Sequence, residues 1–204
     1  MKMFCLLKGR SSEDVEDSIK AGDKDTLSDL ERAATQELSR VAIVDEAIHL
    51  DEMARVLDEA RAWWGVDPNF CMIDYLELLP GGDSDAAGVT GKAQAVKRWA
   101  KEQRVPLGLV HQSGRGSSPP GQAAGLYGGR YGGEQEAIFV LEVYRKKDRS
   151  DLSHWETQYH ANSVNMNLCK NKRTAKLLDQ TYYMDPVCGH VHPYHEELIP
   201  DTTR

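Results

Sequence analysis

No stretch of this 204-residue chain approaches the roughly 20 consecutive apolar residues that a membrane span requires. The start, Met-Lys-Met-Phe-Cys-Leu-Leu-Lys, has too short an apolar core for a secretory signal and no small-residue cleavage site. Cysteine is scarce: Cys5, Cys71, Cys169 and Cys188 lie far apart, three of them inside apolar runs. That usage argues against a disulfide framework and predicts reduced, buried thiols. Positive charge is in deficit, with a net charge of −7, so no global field draws the chain onto nucleic acid. Any such contact must be local. No internal repeat is visible, and the phosphate-binding pattern G-x-x-x-x-G-K-S/T occurs nowhere. Together these absences predict a cytoplasmic protein, of a bacterium or of a virus-infected cell.

What is present reads as one globular chain, 40% hydrophobic and long enough for a substantial core. Residues 3–7 predict a first strand. Ser11 and Asp14 start a helix with Val15 and Ile19 on one face and Gly22 as its stop. Thr26 and Asp29 start another, with the stripe Leu27, Leu30, Ala34 and Leu38. Residues 41–44 predict a second buried strand, ending in Asp45-Glu46, and Asp51 then caps a helix whose apolar face is Met53, Val56, Leu57, Ala60 and Trp63 or Trp64. A short apolar run from residue 69 ends at Asp74, as a strand buried on both faces would. A helix bearing Ala93, Val96 and Ala100 leads to a strand over residues 106–110, which ends at His111-Gln112. Strands are also expected over 138–144, 164–169 and 181–184, before a polar tail from Asp185. Alternating strands and helices predict an α/β fold with a mainly parallel sheet.

Open α/β sheets place their chemistry at the carboxyl ends of strands. Asp45, Glu46, Asp74, His111 and Gln112 each end a predicted strand, and Glu77 lies three residues beyond Asp74. Such a set suits Mn²⁺ or Mg²⁺, with Asp45, Glu46, Asp74 and His111 as ligands. One or two such ions could polarise a phosphodiester, with Asp74, Glu77, His111 and Gln112 as the catalytic groups. The plainer alternative is that these side chains only satisfy loop amides. Cys188, His190, His192 and His195 also contain metal-ligating types, but their spacing fits a zinc pattern poorly, and an exposed polar tail is the competing reading. For nucleic acid the candidates are Arg145, Lys146, Lys147 and Arg149, then Lys170, Lys172 and Arg173. Arg115 and Arg130 join them from the glycine-rich segment 113–133, where small residues let backbone amides approach a phosphate. Solvated surface charge is the alternative.

Several of these segments, in this order, resemble one family. Ile73-Asp74-Tyr75-Leu76-Glu77-Leu78-Leu79 resembles the Walker B strand of DnaB-type replicative helicases, where that Asp assists the catalytic magnesium. His111-Gln112-Ser113-Gly114-Arg115 resembles their sensor strand, Gly132 to Ala137 their next acidic turn, and Lys170-Asn171-Lys172-Arg173 the Lys-x-Arg hairpin that enters a neighbour's nucleotide. The resemblance implies a RecA-like three-layer fold over residues 1–185, truncated before its first strand and P-loop, with 186–204 as a polar tail. Gly88-Val89-Thr90-Gly91-Lys92-Ala93 only mimics the missing loop, with Ala93 where the magnesium-binding hydroxyl belongs. Lys8 stands where the family has the glutamate that activates water. Both departures imply no autonomous ATP hydrolysis. What remains implied is action on single-stranded or forked DNA, as a metal-dependent nuclease like the forked-DNA nucleases of mycobacteriophages. The alternatives are the C-terminal half of a split helicase, working as a homo-oligomer or with a P-loop-bearing partner chain, and a non-catalytic DNA-binding relic.

Overall fold

The computed structural model describes residues 1–81, 85–112, 118–126 and 134–193. They form two compact units: Met1–Val41, Arg145–Asn165 and the chain from Gln180 in one, Ala42–Tyr144 and Met166–Asp179 in the other. Among the described residues no helix is long and apolar enough to cross a membrane.

The first unit opens with a correction. Residues 3–7 are not a strand but part of helix α1 (Lys2–Lys8). Met, Leu and Phe without a β-branched neighbour favour the helix, and a short apolar run does not by itself separate the two. Gly9, at φ +63, ends the helix in the left-handed region that glycine alone enters freely. Helix α2 (Ser12–Lys20) starts as its sequence predicts, with the Ser11 hydroxyl accepting from the Asp14 N–H at 3.0 Å. Helix α3 (Lys24–Arg32) is capped by Asp23, which accepts from the Thr26 N–H at 3.1 Å, and runs on into a π-turn over Ala33–Glu37. The expected stripe is turned already within α3, where Thr26 is buried and Leu27 exposed, and Ala33 is buried in place of Ala34. Phe4, Cys5, Val15 and Ala33 make the core of these helices, with Ile19 and Leu30 against it.

Residues 41–44 form no strand either; Val41, Ile43 and Val44 are exposed in a segment without regular structure. A β-rich composition supplies no ladder partner, and an unpaired strand has nothing to hold it. Helix α4 (Leu50–Trp64) begins one residue before the expected Asp51 cap, with the Glu52 carboxylate accepting from the His49 N–H at 2.8 Å. Strand β1 (Cys71–Ile73) then pairs in parallel with β2 (Leu107–Leu109), Met72 opposite Gly108. Between them runs helix α5 (Ala86–Gln103), capped by Asp85 through the Gly88 N–H at 2.8 Å. Val89, Ala93 and Val96 of α5 bury against Ile73 and Leu76. Trp99 packs with Leu57 of α4 and Val105. This is the α-on-β packing that the alternation of elements predicts.

Strand β3 (Phe139–Tyr144) lies at one edge of a second, four-stranded sheet. Its order continues through β4 (Ser163–Asn171), β5 (Leu178–Met184) and β6 (Val191–Pro193). Helix α6 (His154–Tyr159) precedes β4. The expected tail is structured as far as Pro193, because β6 pairs antiparallel with β5, His192 opposite Tyr183. β1 and β2 form a parallel pair, and β5 and β6 an antiparallel one.

Candidate functional site

Because β1 and β2 are parallel, both release their chains at the same edge. Val110 donates to the Ile73 carbonyl and Leu76 to the Val110 carbonyl, each at 2.9 Å, so the two strand ends stay joined beyond the ladder. Asp74 comes first and is exposed. Leu76–Leu78 then close a 3-10 turn whose anchor is Leu76, 1% exposed among Ile73, Val89, Ala93 and Val96. The turn aims Glu77 back at the second strand end. Its Oε1 lies 3.0 Å from Nδ1 of His111 and accepts from the Gln112 backbone N–H at 3.3 Å, with the Glu77 and His111 side chains both about five-sixths buried. The imidazole approach is short but poorly aligned for an N–H donor, so it is an electrostatic pairing and not a formed hydrogen bond. Nε2 of His111 and Oε2 of Glu77 are buried without a hydrogen-bond partner among the described residues. Lys92 on α5 donates to the Glu77 carbonyl at 3.3 Å. Of the four residues predicted as catalytic, Glu77 and His111 bring their side chains together and Gln112 meets Glu77 through its backbone N–H, while Asp74 faces solvent. The arrangement orients an imidazole with a carboxylate and leaves two polar atoms uncommitted.

Asp45 and Glu46 do not end a strand; both are exposed in the segment without regular structure. Among the described residues no group of three or more His, Cys, Asp or Glu side chains is placed to hold a metal ion. A hard divalent cation needs several oxygen ligands converging on one point. The donor set Asp45, Glu46, Asp74 and His111, as arranged here, does not fit one. The same holds for Cys188, His190 and His192. The two imidazoles stack edge to face with centroids 5.6 Å apart, and the Cys188 turn closes by Gly189 donating to the Asp185 carbonyl at 2.8 Å. His195 lies outside the described residues, as do Arg115 and Arg130.

The basic residues divide into those already engaged and those left free. Arg145 donates to the Ala161 carbonyl at 2.7 Å, and Arg149 is paired with Asp151. Lys146 and Lys147 sit on the 3-10 turn Lys146–Asp148 between them. Burial, and after it the charge of Lys146, holds the His160 imidazole below its ordinary pKa. Lys170 donates to the carbonyls of Glu134 and Gln135 at 2.6 and 3.0 Å, and Lys172 to that of Gln135 at 3.1 Å. Burial and the neighbouring Lys172 hold Lys170 below the usual lysine range. Both lysines thus tie down the 3-10 turn Glu134–Glu136, which Lys97 of α5 grips from its other end through Glu136 at 2.6 Å. Arg173 remains exposed on the following turn, which the Asn171 side chain closes by accepting from the Arg173 and Thr174 N–H groups at 3.1 Å.

Two features of this unit escape sequence reasoning. Glu142, a lone charge inside the apolar strand Phe-Val-Leu-Glu-Val-Tyr, accepts the backbone N–H groups of Ala124 and Gly125 and so pins that point within the glycine-rich segment. Its interruption of an apolar run was the available signal. The second feature is apolar surface. Cys71 and Ile73 pack toward the helices, but Met72 and Phe70, on the other side of β1, are 63% and 59% exposed. The Phe70 ring lies over Gly108, where an added Cβ would come within 2.6 Å of it. On β3, Phe139, Leu141 and Val143 are exposed together. Parallel sheets are ordinarily covered on both faces.

No family model and no curated protein sequence matches the chain. Solved structures do. A DnaB-like replicative helicase, solved in a study of its interactions with primase, superposes with a TM-score of 0.73 at 16% identity, over 95% of this chain and 47% of that one. A second solved structure, an ATPase domain, superposes with a TM-score of 0.68, also at 16% identity, over 95% of this chain and 69% of that one. This chain therefore spans about half the length of the first. At such identity the likeness is one of fold, and the chain has the RecA-like α/β fold of DnaB-like helicase domains.

Proposed function

We propose that this chain is the sensor-side part of a DnaB-like replication module, binding single-stranded or forked DNA, with ATP turnover depending on a P-loop that these 204 residues do not contain. The observation that supports this reading is the strand-end edge itself. Glu77, His111 and Gln112 are gathered there with Asp74 at their side, yet the 204 residues contain no sequence of the kind that cradles a triphosphate. Lys8, which the resemblance set at a strand end in the place of the family's water-activating glutamate, instead ends helix α1 and is paired with Glu37 at 2.6 Å, so that correspondence is withdrawn. A lysine so committed supplies no base. Local positive charge for binding phosphate resides in Lys146, Lys147 and Arg173, those of the predicted DNA-binding residues least engaged within the fold.

Steady-state ATP hydrolysis by the purified chain, with and without single-stranded DNA, tests the first part. The expected result is none; turnover near or above about 1 s⁻¹ that co-purifies with the chain through successive columns overturns it. A divalent-metal nuclease is the second reading, and it is favoured only by the solvent-facing carboxylate of Asp74 at the strand end. The dispersed donors around it weigh against that reading.

A further inference from the structure

In the first unit, helix α6 ends at His160, whose N–H donates to the Glu156 carbonyl at 2.9 Å. Two contacts fix its ring. Tyr159 meets it edge to face with centroids 5.0 Å apart, and the Ser163 hydroxyl lies 3.4 Å from Nδ1. That hydroxyl has a single hydrogen, which goes to the His160 carbonyl at 3.1 Å, so its oxygen faces the ring as an acceptor. The neutral imidazole therefore carries its proton on Nδ1 and its lone pair on Nε2. Nε2 has no hydrogen-bond partner among the described residues, and it is not sealed from solvent. Arg145 brings the lysine turn to this ring. Its guanidinium donates to the Ala161 carbonyl at 2.7 Å, tying the residue before Lys146–Asp148 to the residue after His160. The turn itself packs on α6. The charges facing the imidazole are Lys146 and Arg149 from that side and Glu156 from its own helix. Arg149 is paired with Asp151, and Glu156 accepts from the Ser153 N–H and hydroxyl at 2.8 and 2.7 Å. Lys146 is tied to neither an acid nor a carbonyl among the described residues.

We propose that Nε2 of His160 and the ammonium of Lys146 form one binding site for a phosphodiester of single-stranded DNA, with Lys147 beside it. This rests on the DNA-binding reading and adds to it a named contact and a proton. In the free protein burial, Lys146 and Arg149 hold the imidazole below its ordinary pKa, so it is neutral at about pH 7. Its Nε2 then presents a lone pair, which repels a phosphate oxygen. A phosphate seated against Lys146 reverses the local field, draws a proton from solvent onto Nε2, and makes that atom a charge-assisted donor. The bound state therefore holds the proton more tightly than the free state. Binding strengthens as pH falls through the window between the two pKa values, and it levels off below the lower, free one.

The test uses the whole chain and oligo(dT), whose phosphodiesters and bases do not titrate between about pH 6 and 8. Affinity should rise about three- to tenfold from about pH 8 to about pH 6, with uptake of up to about one proton. Calorimetry in buffers of differing ionisation enthalpy reads that proton. His160→Gln keeps a neutral polar side chain there and should bind without proton uptake. Lys146→Ala should raise the free His160 pKa, followed by the ring resonances, and lower the uptake; a ring that only packs would show neither. Wild type and His160→Gln that change alike with pH, or wild-type His160 resonances that DNA leaves on the same titration curve, overturn the proposal while the DNA-binding reading stands. The ring titration needs no variant, so it decides the matter even where His160→Gln fails to fold. Oligo(dT) that binds at no pH overturns both.

Discussion

Replacing Leu76 by alanine should unfold the second unit at markedly lower denaturant, because this side chain fastens the strand-end turn to the core. Leu76 is 1% exposed and fills the space between Ile73 on β1 and Val89, Ala93 and Val96 on α5. Truncation loses the transfer free energy of the deleted carbons and leaves a cavity that a strand and a long helix cannot readily close. Together these cost about 3 to 4 kcal/mol. With a urea dependence of about 2 kcal/mol per molar, the midpoint should fall by about 1.5 to 2 M. Trp99 is 5% exposed within the same unit, against Leu57 and Val105, so in a background with Trp63, Trp64 and Trp155 replaced by Phe its emission reports the transition where it matters. Leu78, two residues on in the same turn, is 55% exposed. Its replacement by alanine should shift stability by no more than about 0.5 kcal/mol. The same Leu76 variant should release Glu77 from His111, which is read as a change in the His111 ring resonances. A midpoint shift under about 0.5 M, or one equal to that of Leu78→Ala, would refute the packing argument and with it the account of how Glu77 is aimed.

Two further outcomes bear on function. Lys146→Ala together with Lys147→Ala should weaken binding to single-stranded DNA and flatten its salt dependence by about 0.7 for each phosphate no longer neutralised, whereas Arg149→Ala should change little because that guanidinium is spent on Asp151. An unchanged slope in the double variant means that those lysines are only solvated surface. On forked DNA in Mn²⁺ or Mg²⁺ we expect no cutting, given the scattered donors; cutting by the wild type that Asp74→Asn abolishes, with DNA affinity retained, would restore the nuclease reading.

Local chemistry was legible in the sequence wherever neighbours along the chain decide the outcome. Ser11 caps α2 through Asp14, the face Ala93, Val96 and Ala100 packs inward on α5, and the run ending at Asp74 is a strand in a parallel pair. Each of these depends on spacing within one element or on the alternation of elements. The RecA-like fold was implied by the resemblance of the Asp74, His111 and Lys170 segments to DnaB-type helicases, and the solved structures share it. Residues 3–7 and 41–44 were misread because a short apolar run does not state its partner: the first packed as a helix against Val15 and Ala33, the second found no ladder. The site shows the same division. Strand-end position pointed to Glu77, His111 and Gln112, but only the buried Leu76 turn decides that the carboxylate faces the imidazole. Tertiary structure alone turned Lys170 and Lys172 onto the carbonyls of Glu134 and Gln135, and left Asp45 and Glu46 off any strand end. Long-range pairing makes these choices, since a hydrogen bond across 35 or 37 residues has no signature in the spacing of the chain between them.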